Sequence, residues 1–403
     1  MFCATFARFP KFRAQCTTVV STELEPKIYQ RPEHCVSRSN IDPDALKIMY
    51  RLSRNGFKAY LVGGGVRDLL LGKKPKDFDI ATDATPRQIK SLFRNSRIIG
   101  RRFKLVHVFY SGGKNIEVST FRDISEEPSE NVYGTAHSDA RRRDITINAL
   151  FYNAVDYTII DYVGGMQDLK DGVIRVIGDP NIRFLEDPVR MLRVVRHAAR
   201  TGFQVDSWCG QAVIDNKDLL TKASQVRVYD EFRKDLSSGY ILESLRGFQK
   251  FGLLEILLPK FQILGTNFLE DGAHLPICLE RIDSLARNGV SISTSVALAT
   301  LFIKIEPHIV DESDQSYEIS EIIRYAFDSL VVPRKEKDRI EDLVTAFKIA
   351  SEAHENGTPI KRLPKMVDLS EVLMLFEIYF GEESAAWLKT QLNKSSNKKK
   401  RKK

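Results

Sequence analysis

The chain has 403 residues, enough for two or three domains, and a 43% hydrophobic content that supports sizeable cores. No stretch approaches the roughly 18 to 20 unbroken apolar residues of a membrane helix, so no membrane partner is expected. A net charge of +8 and a pI near 9.1 lean toward a polyanionic partner without naming it, and five scattered cysteines (Cys3, Cys16, Cys35, Cys209, Cys278) with no CxxC pair indicate neither a disulfide framework nor a zinc site.

Residues 1 to 40 show little periodicity and read as a loose arm. The start has no acid before Glu23; it weakly resembles an organelle-targeting peptide and reads equally as a frayed terminus. "IDPDALKIMYRLSRNGF" has apolar residues at helix spacing and ends at Asn55-Gly56. "AYLV" is a buried strand, Gly63 to Gly65 a turn, "VRDLLLG" a short helix and "FDIAT" a second strand. "ATPRQIKSLF" opens a helix with Thr85 as N-cap and Pro86 at its first position. "KLVHVFY" and "NIEVSTF" alternate as strands joined by "SGGK". This order gives a mixed sheet with helices on one side.

"ISEEPSENVYGTAHSDA" reads as a mobile loop, "RRDITINALFYN" as a helix, and "YTIIDYV" with "VIRVIG" as a last hairpin around "GGMQDLKDG". From Asn181 on, helical patterns dominate. The expected fold is α+β: a head of mixed sheet and helices over 41–180, a helical neck over 181–240, a helical body over 241–392 and a disordered basic tail over 393–403. The tail, "NKSSNKKKRKK", is either a solubilising end or a sequence-blind phosphate contact.

One stretch, "LVGGGVRDLLLGKKPKDFDIAT", combines a small-residue turn with two aspartates one residue apart. Asp77 and Asp79 at i and i+2 of a strand would share a face, and each would raise the other's pKa unless a cation lay between them. Oxygen ligands with open positions suit Mg²⁺, with Glu117 a candidate third ligand if its strand lies alongside. The glycine turn lets backbone N–H groups approach a phosphate, yet it is neither a Walker A loop nor a dinucleotide fingerprint.

Together these residues resemble the head signature of the class II branch of polymerase-beta-like nucleotidyltransferases, which holds CCA-adding tRNA nucleotidyltransferases and bacterial poly(A) polymerases. "RRRDITINAL" resembles the family's Arg-Arg-Asp motif, "DYVGGMQDLKDGVIRVIG" its hinge and "RFLEDPVRMLRVVRHAARTGF" its Glu-Asp-x-x-Arg motif; the blocks follow in family order over about residues 57 to 205. The resemblance implies nucleotidyl transfer, with Asp77, Asp79 and Asp144 catalytic and Asp77 and Asp79 holding Mg²⁺. Gly63, Gly64 and Arg67 would meet the triphosphate; the alternative for Arg67 is a salt bridge to Asp68. Arg142 and Arg143 would take phosphate oxygens, Asp144 a ribose 2′-hydroxyl, and Asn148 would lie one turn along the same helix. Asp187 would cap a helix from Pro188 and, with Arg190, present a fixed edge to the incoming base. Arg193, Arg196 and Arg200, with Lys398, Lys399, Lys400 and Arg401, are candidate RNA contacts.

"IIGRRFKLVHVFY" resembles the corresponding block of bacterial poly(A) polymerases more than that of CCA-adding enzymes. The expected activity is therefore adenylyl transfer from ATP to RNA 3′ ends, with a CCA-adding enzyme using CTP and ATP, or a non-catalytic RNA-binding relative, as alternatives. The bacterial cytoplasm is the default location. His107 reads either as a core histidine or as an RNA contact. His137 and Ser138 stand where the family usually shows acids.

Overall fold

The computed structural model describes residues 25–100, 105–123, 133–259, 269–270, 273–303, 319–327, 330–360, 363–364 and 367–400, with 394–400 as backbone only. The start of the arm (1–24), residues 124–132 of the expected loop and Arg401 lie outside the described residues.

The arm is not loose from residue 25 onward. Strand β1 (Lys27–Tyr29) pairs antiparallel with β8 (Ile159–Asp161), and Tyr29 and Val36 are buried. A three-residue edge strand carries no period of its own; its partner, distant in sequence, defines it. Helix α1 (Pro43–Arg54) follows, capped by Asp42, whose side chain accepts the Asp44 N–H. Strand β2 (Ala59–Val62) leads through the glycines into α2 (Gly64–Leu70), then β3 (Asp79–Thr82). Helix α3 (Pro86–Leu92) starts as its sequence dictates: Thr85 and Gln88 form a reciprocal capping box, with Pro86 first in the helix. Strands β4 (Ser96–Ile99), β5 (Leu105–Phe109) and β6 (Asn115–Thr120) complete an antiparallel wing.

The sheet order is β1-β8-β7-β2-β3-β6-β5-β4, where β7 is Leu150–Tyr152; β3 and β6 are parallel and every other pair is antiparallel. Ile48, Leu52, Leu61, Ile80, Ile89, Val106 and Val118 form the core between the sheet and α1 to α3. The expectation of helices on one side alone is corrected by α4 (Ala136–Arg141). Its Ala136 and Ala140 pack on the other face against Val62, Ala81, Phe121 and Phe151.

Two further readings are corrected. "RRDITINALFYN" is not a helix: a bend at Asp144 leads into a 3-10 turn (Thr146–Asn148) and then β7. Its apolar residues fit either period over so short a run, and Ile145 settles it by bridging to Val176. The expected last hairpin is absent. Helix α5 (Gly165–Asp171) separates β8 from β9 (Val173–Ile174), which pairs in parallel with β10 (Gln204–Val205).

Helices then take over: α6 (Pro180–Glu186), α7 (Arg190–Thr201), α8 (Ser207–Asn216), α9 (Gln225–Leu236), α10 (Ile241–Lys250), α11 (Leu254–Leu257), α12 (His274–Arg287), α13 (Thr294–Thr300), α14 (Ile319–Ala326), α15 (Arg334–Glu355), α16 (Leu369–Phe380) and α17 (Glu382–Lys400). Ile145, Ile147, Ile174 and Val176 belong to this helical core, so head and helices are packed together rather than strung on a linker. The backbone of α17 runs to Lys400, through most of the tail expected to be disordered; the segment holds no Gly or Pro to stop a helix. No helix among the described residues is long and apolar enough to cross a membrane.

Candidate active site

The glycine turn and the two aspartates meet in space. Val62, the last residue of β2, lies opposite Asp79, the first of β3. Gly63 follows with φ +73° and ψ −144°, a backbone state strained for any side-chain-bearing residue. A Cβ there would stand 3.5 Å from Arg143 Nη1 and 3.8 Å from Asp79 Oδ2, and one on Gly65 would stand 3.2 Å from the Asp77 carbonyl oxygen. Small residues let this turn lie directly against the acidic pair.

Asp77 sits just before β3 rather than on it, so the two carboxylates are not strictly strand neighbours as the spacing suggested. Their charges still interact. Burial, then the charges of Glu117 and Asp77, push Asp79 up to about 6, with Arg143 acting the other way. Asp79 nevertheless keeps solvent contact, so protein crowds the carboxylate while a ligand can still reach it. Glu117 is beside it because β6 runs parallel to β3 with Val118 across from Ile80. The Glu117 carboxylate also lies 3.7 Å from His107 Nε2. Among the described residues no three His, Cys, Asp or Glu side chains stand together so as to hold a metal ion, so Glu117 does not complete a set with Asp77 and Asp79. Two repelling aspartates with open positions fit a cation that takes its other ligands from water and phosphate, the habit of Mg²⁺.

The Arg-Arg-Asp segment is organised from below by Asp139, a residue whose role the sequence reading missed. Its carboxylate is 1% exposed and held below the usual carboxylate range: the two arginines outweigh the cost of burial. One oxygen accepts Arg142 Nε and Nη2 at 2.9 and 2.6 Å; the other accepts Arg143 Nε and Nη2 at 3.2 and 2.9 Å. The signal was present, since Asp139 stands three and four residues before the arginines. Ser138, where an acid was expected, closes a capping box with Thr135 at the start of α4. Arg183 of α6 donates to the backbone oxygens of Arg142 and Arg143, at 2.9 and 3.0 Å.

Residues 59–175 match the family model described as "Poly A polymerase head domain", and residues 202–264 match "Probable RNA and SrmB- binding site of polymerase A". Poly(A) polymerase I of Escherichia coli O157:H7 is 38% identical over 340 residues, covering 76% of this chain and 72% of that protein. The chain belongs to the poly(A) polymerase family. A CCA-adding enzyme of Bacillus pumilus is 39% identical over 208 residues, 50% of this chain and 52% of that protein, so both branches lie among its relatives. A solved structure described as a tRNA-processing enzyme in apo form superposes with a TM-score of 0.64 at 27% identity, over 89% of this chain and 91% of that one. The expected α+β fold, a sheet-based head with a helical body, is what both chains share.

Against the poly(A) polymerase family pattern, several expected ligand contacts are already occupied from within. Arg67 is 1% exposed: its Nε and Nη2 donate to Asp68 Oδ1 at 2.9 and 2.7 Å, and its Nη1 to Asn148 Oδ1 at 2.9 Å. The salt bridge to Asp68, the alternative for Arg67, is present, and the guanidinium is held within the protein. Asn148 lies on a 3-10 turn rather than one helical turn past Asp144, and its Nδ2 faces His197 Nε2 at 3.3 Å. Burial, followed by the charges of Arg67, Arg193, Arg196 and Arg200, holds His197 well below the ordinary imidazole range.

The remaining arginines follow suit. Arg196 donates to Asp235 Oδ1 at 3.1 Å and pairs with Glu231 at 2.6 Å, an internal tie between α7 and α9. Arg200 donates to Asp68 Oδ2 at 2.8 Å, tying α7 to α2, and Arg193 pairs with Asp144 at 2.7 Å. Asp187 is not the N-cap of α7: it ends α6, its Oδ1 accepts the Val189 N–H in the turn between the two helices, and Val189 stands at the N-cap of a helix that begins at Arg190 rather than Pro188. The other Asp187 oxygen accepts Arg227 Nη2 at 2.7 Å, while Arg190 donates to Asp144 Oδ1 at 3.0 Å and to Glu186 Oε2 at 3.0 Å. Asp187 and Arg190 thus have separate partners. The sequence signalled neither Arg227 nor Glu231, whose partners lie about forty positions upstream.

Proposed function

We propose that the chain is a template-independent polynucleotide adenylyltransferase that adds AMP from ATP to RNA 3′ ends. The observation that carries it is the glycine turn laid against a solvent-reached, crowded Asp79 beside Asp77 and Glu117. Poly(A) rather than CCA addition is favoured because similarity to poly(A) polymerase I runs over 340 residues, against 208 for the CCA-adding enzyme.

In the reaction the RNA 3′-hydroxyl oxygen bonds to the α-phosphorus of ATP, the bond from that phosphorus to the β-phosphate oxygen breaks, pyrophosphate leaves and the hydroxyl proton is released. Mg²⁺ held by Asp77 and Asp79 would lower the hydroxyl's pKa and steady the departing oxygens. Gly63 and Gly64 give backbone access to the triphosphate, and Arg142 and Arg143, pre-aimed by Asp139, take its oxygens. Asp144 accepts from the ribose 2′-hydroxyl, and Asp187 and Arg190 read the adenine edge. Arg67, Asn148 and Arg200 act as positioning residues between head and α7. Lys398, Lys399, Lys400 and Arg401 supply sequence-blind attraction for RNA. The division into head (41–180), neck (181–240) and body (241–392), and a bacterial cytoplasmic location, belong to the same proposal.

The test is incubation of the full chain with Mg²⁺, a short RNA and each nucleoside triphosphate in turn. Long tails with ATP alone are expected. Addition of CCA to a truncated tRNA followed by arrest would transfer the chain to the other branch, and no incorporation with any nucleotide would end the enzymatic reading.

A further inference from the structure

Four side chains form one transverse row across the outer half of the sheet. Arg97 of β4 is paired with His107 of β5, and His107 with Glu117 of β6. The parallel register of β6 with β3 sets Asp79 beside Glu117. Alternate residues of a strand point to opposite faces. Ile80, Val106, Val108, Ile116 and Val118 take the core face toward α3, so the row lies on the other face. It runs from the edge strand to the aspartate of the candidate active site.

The surroundings of the row suit single-stranded nucleic acid. Phe109, two residues along from His107, is 40% exposed, and the two rings lie 6.2 Å apart at 61°. His107 is 25% exposed and Arg97 is open to solvent. Rings standing on an open sheet beside a cation are how bases are stacked and phosphates held without sequence preference. Three strand spacings separate β4 from β3, roughly 14 Å, or about four stacked nucleotides at roughly 3.4 Å each. Charge is graded along the row. The arginine is at the outer end, where phosphates would lie, and the acids are at the inner end, where only a hydroxyl has to arrive.

We propose that this face of β4, β5 and β6 seats the last nucleotides of the single-stranded RNA acceptor: Phe109 and His107 stack on its bases, Arg97 holds a phosphate, and the 3′-hydroxyl is delivered to Asp79. The inference rests on the adenylyltransferase reading and adds the path of the acceptor to it.

The full chain is photo-crosslinked, without ATP, to a short RNA carrying 4-thiouridine at each of its last four nucleotides. Adducts are expected on the peptide containing Leu105 to Phe109; adducts confined to the helical body overturn the proposal. In steady-state extension, His107→Ala and Phe109→Ala each raise the KM for RNA roughly tenfold while the KM for ATP holds, and Arg97→Ala flattens the salt dependence of RNA binding. Both aromatic side chains reach solvent, so circular dichroism should show folded variants. Wild-type extension with an unchanged KM for RNA in both variants sinks the platform alone. Crosslinks at Phe109 with no AMP incorporation by the wild type sink the catalytic reading and leave the platform. A wild-type dimer that dissociates on Phe109→Ala would reassign the face to a contact between copies of the chain and overturn the proposal.

Discussion

Asp144 and Arg190 hold each other: the carboxylate accepts the guanidinium Nε–H at 3.0 Å, across 46 positions of sequence. One is the proposed ribose acceptor from the head and the other the proposed base reader from α7, so the two specificity elements are set relative to each other before any nucleotide arrives. Arg193 holds the second Asp144 oxygen at 2.7 Å. A 2′-hydroxyl must share a carboxylate already aimed by two cations. Asp144→Ala should therefore lower the preference for ATP over dATP, as a ratio of kcat/KM, by about 10- to 100-fold, the worth of a hydrogen bond to a charged group. An unchanged ratio would remove Asp144 from sugar selection.

The raised pKa of Asp79 makes a signed prediction. With a folded value of about 6 against an ordinary 3.8, the native state keeps a proton that the unfolded chain has released between these values. The contribution of Asp79 to metal-free stability should thus fall as pH rises from about 4 to 6, with its full penalty above 6. Asp79→Asn removes the repulsion. Its Tm at pH 7 without metal should exceed that of the wild type, and the two should converge near pH 4. Mg²⁺ should raise the Tm of the wild type at pH 7 more than that of the variant. Extension by Asp79→Asn should drop by more than about 100-fold, beyond what outer-shell changes to a metal site cost. Differential scanning fluorimetry across pH, with and without Mg²⁺, reads the stability half; a lower Tm for the variant at pH 7 contradicts the crowding argument.

What the sequence showed and what it hid follow from how far apart the interacting residues lie. Gly63, Asp77 and Asp79 were legible because one short strand–turn–helix–strand unit carries the whole chemical demand. Asp139 could have been found at helical spacing from Arg142 and Arg143. Arg67 with His197, 130 positions apart, and Arg200 with Asp68, 132 apart, could not, since nothing local in either sequence names the partner. The acids that meet the basic run on α7, Glu231 and Asp235 of α9 and Asp68 of α2, are likewise distant in sequence. Strand β1 and the turn at Thr146–Asn148 were hidden for the same reason: their backbone partners, Ile160 and Arg175, lie well along the chain.

Gly63 tests whether the turn must lie against the acids. At φ +73° and ψ −144°, with Arg143 Nη1 3.5 Å and Asp79 Oδ2 3.8 Å from where a Cβ would stand, Gly63→Ala combines backbone strain with crowding at the site. The strain is expected to cost about 1–3 kcal/mol in urea unfolding. The KM for ATP should rise with it, because the variant displaces the backbone proposed to meet phosphate. A variant of wild-type stability would show that the turn relaxes freely.

Arg67 separates a ligand contact from a structural tie. Its guanidinium is nearly sealed from solvent, and burial lowers its pKa against the opposing pull of Asp68. Asp68 is itself buried and shared with Arg200 at 2.8 Å, so Arg67→Ala leaves a buried carboxylate with one half-exposed partner and Asn148 without its donor. Breaking a buried pair from one side costs about 3–5 kcal/mol. That loss should appear as a fall in unfolding free energy with no nucleotide present. A triphosphate contact predicts the reverse pattern, an intact Tm with a raised KM for ATP. Arg67→Lys discriminates further. An ammonium can pair with Asp68 but cannot also span to Asn148, so stability should recover in part while the register of the Thr146–Asn148 turn, and with it activity, stays impaired. Full recovery of both by lysine would reduce the role of Arg67 to charge alone.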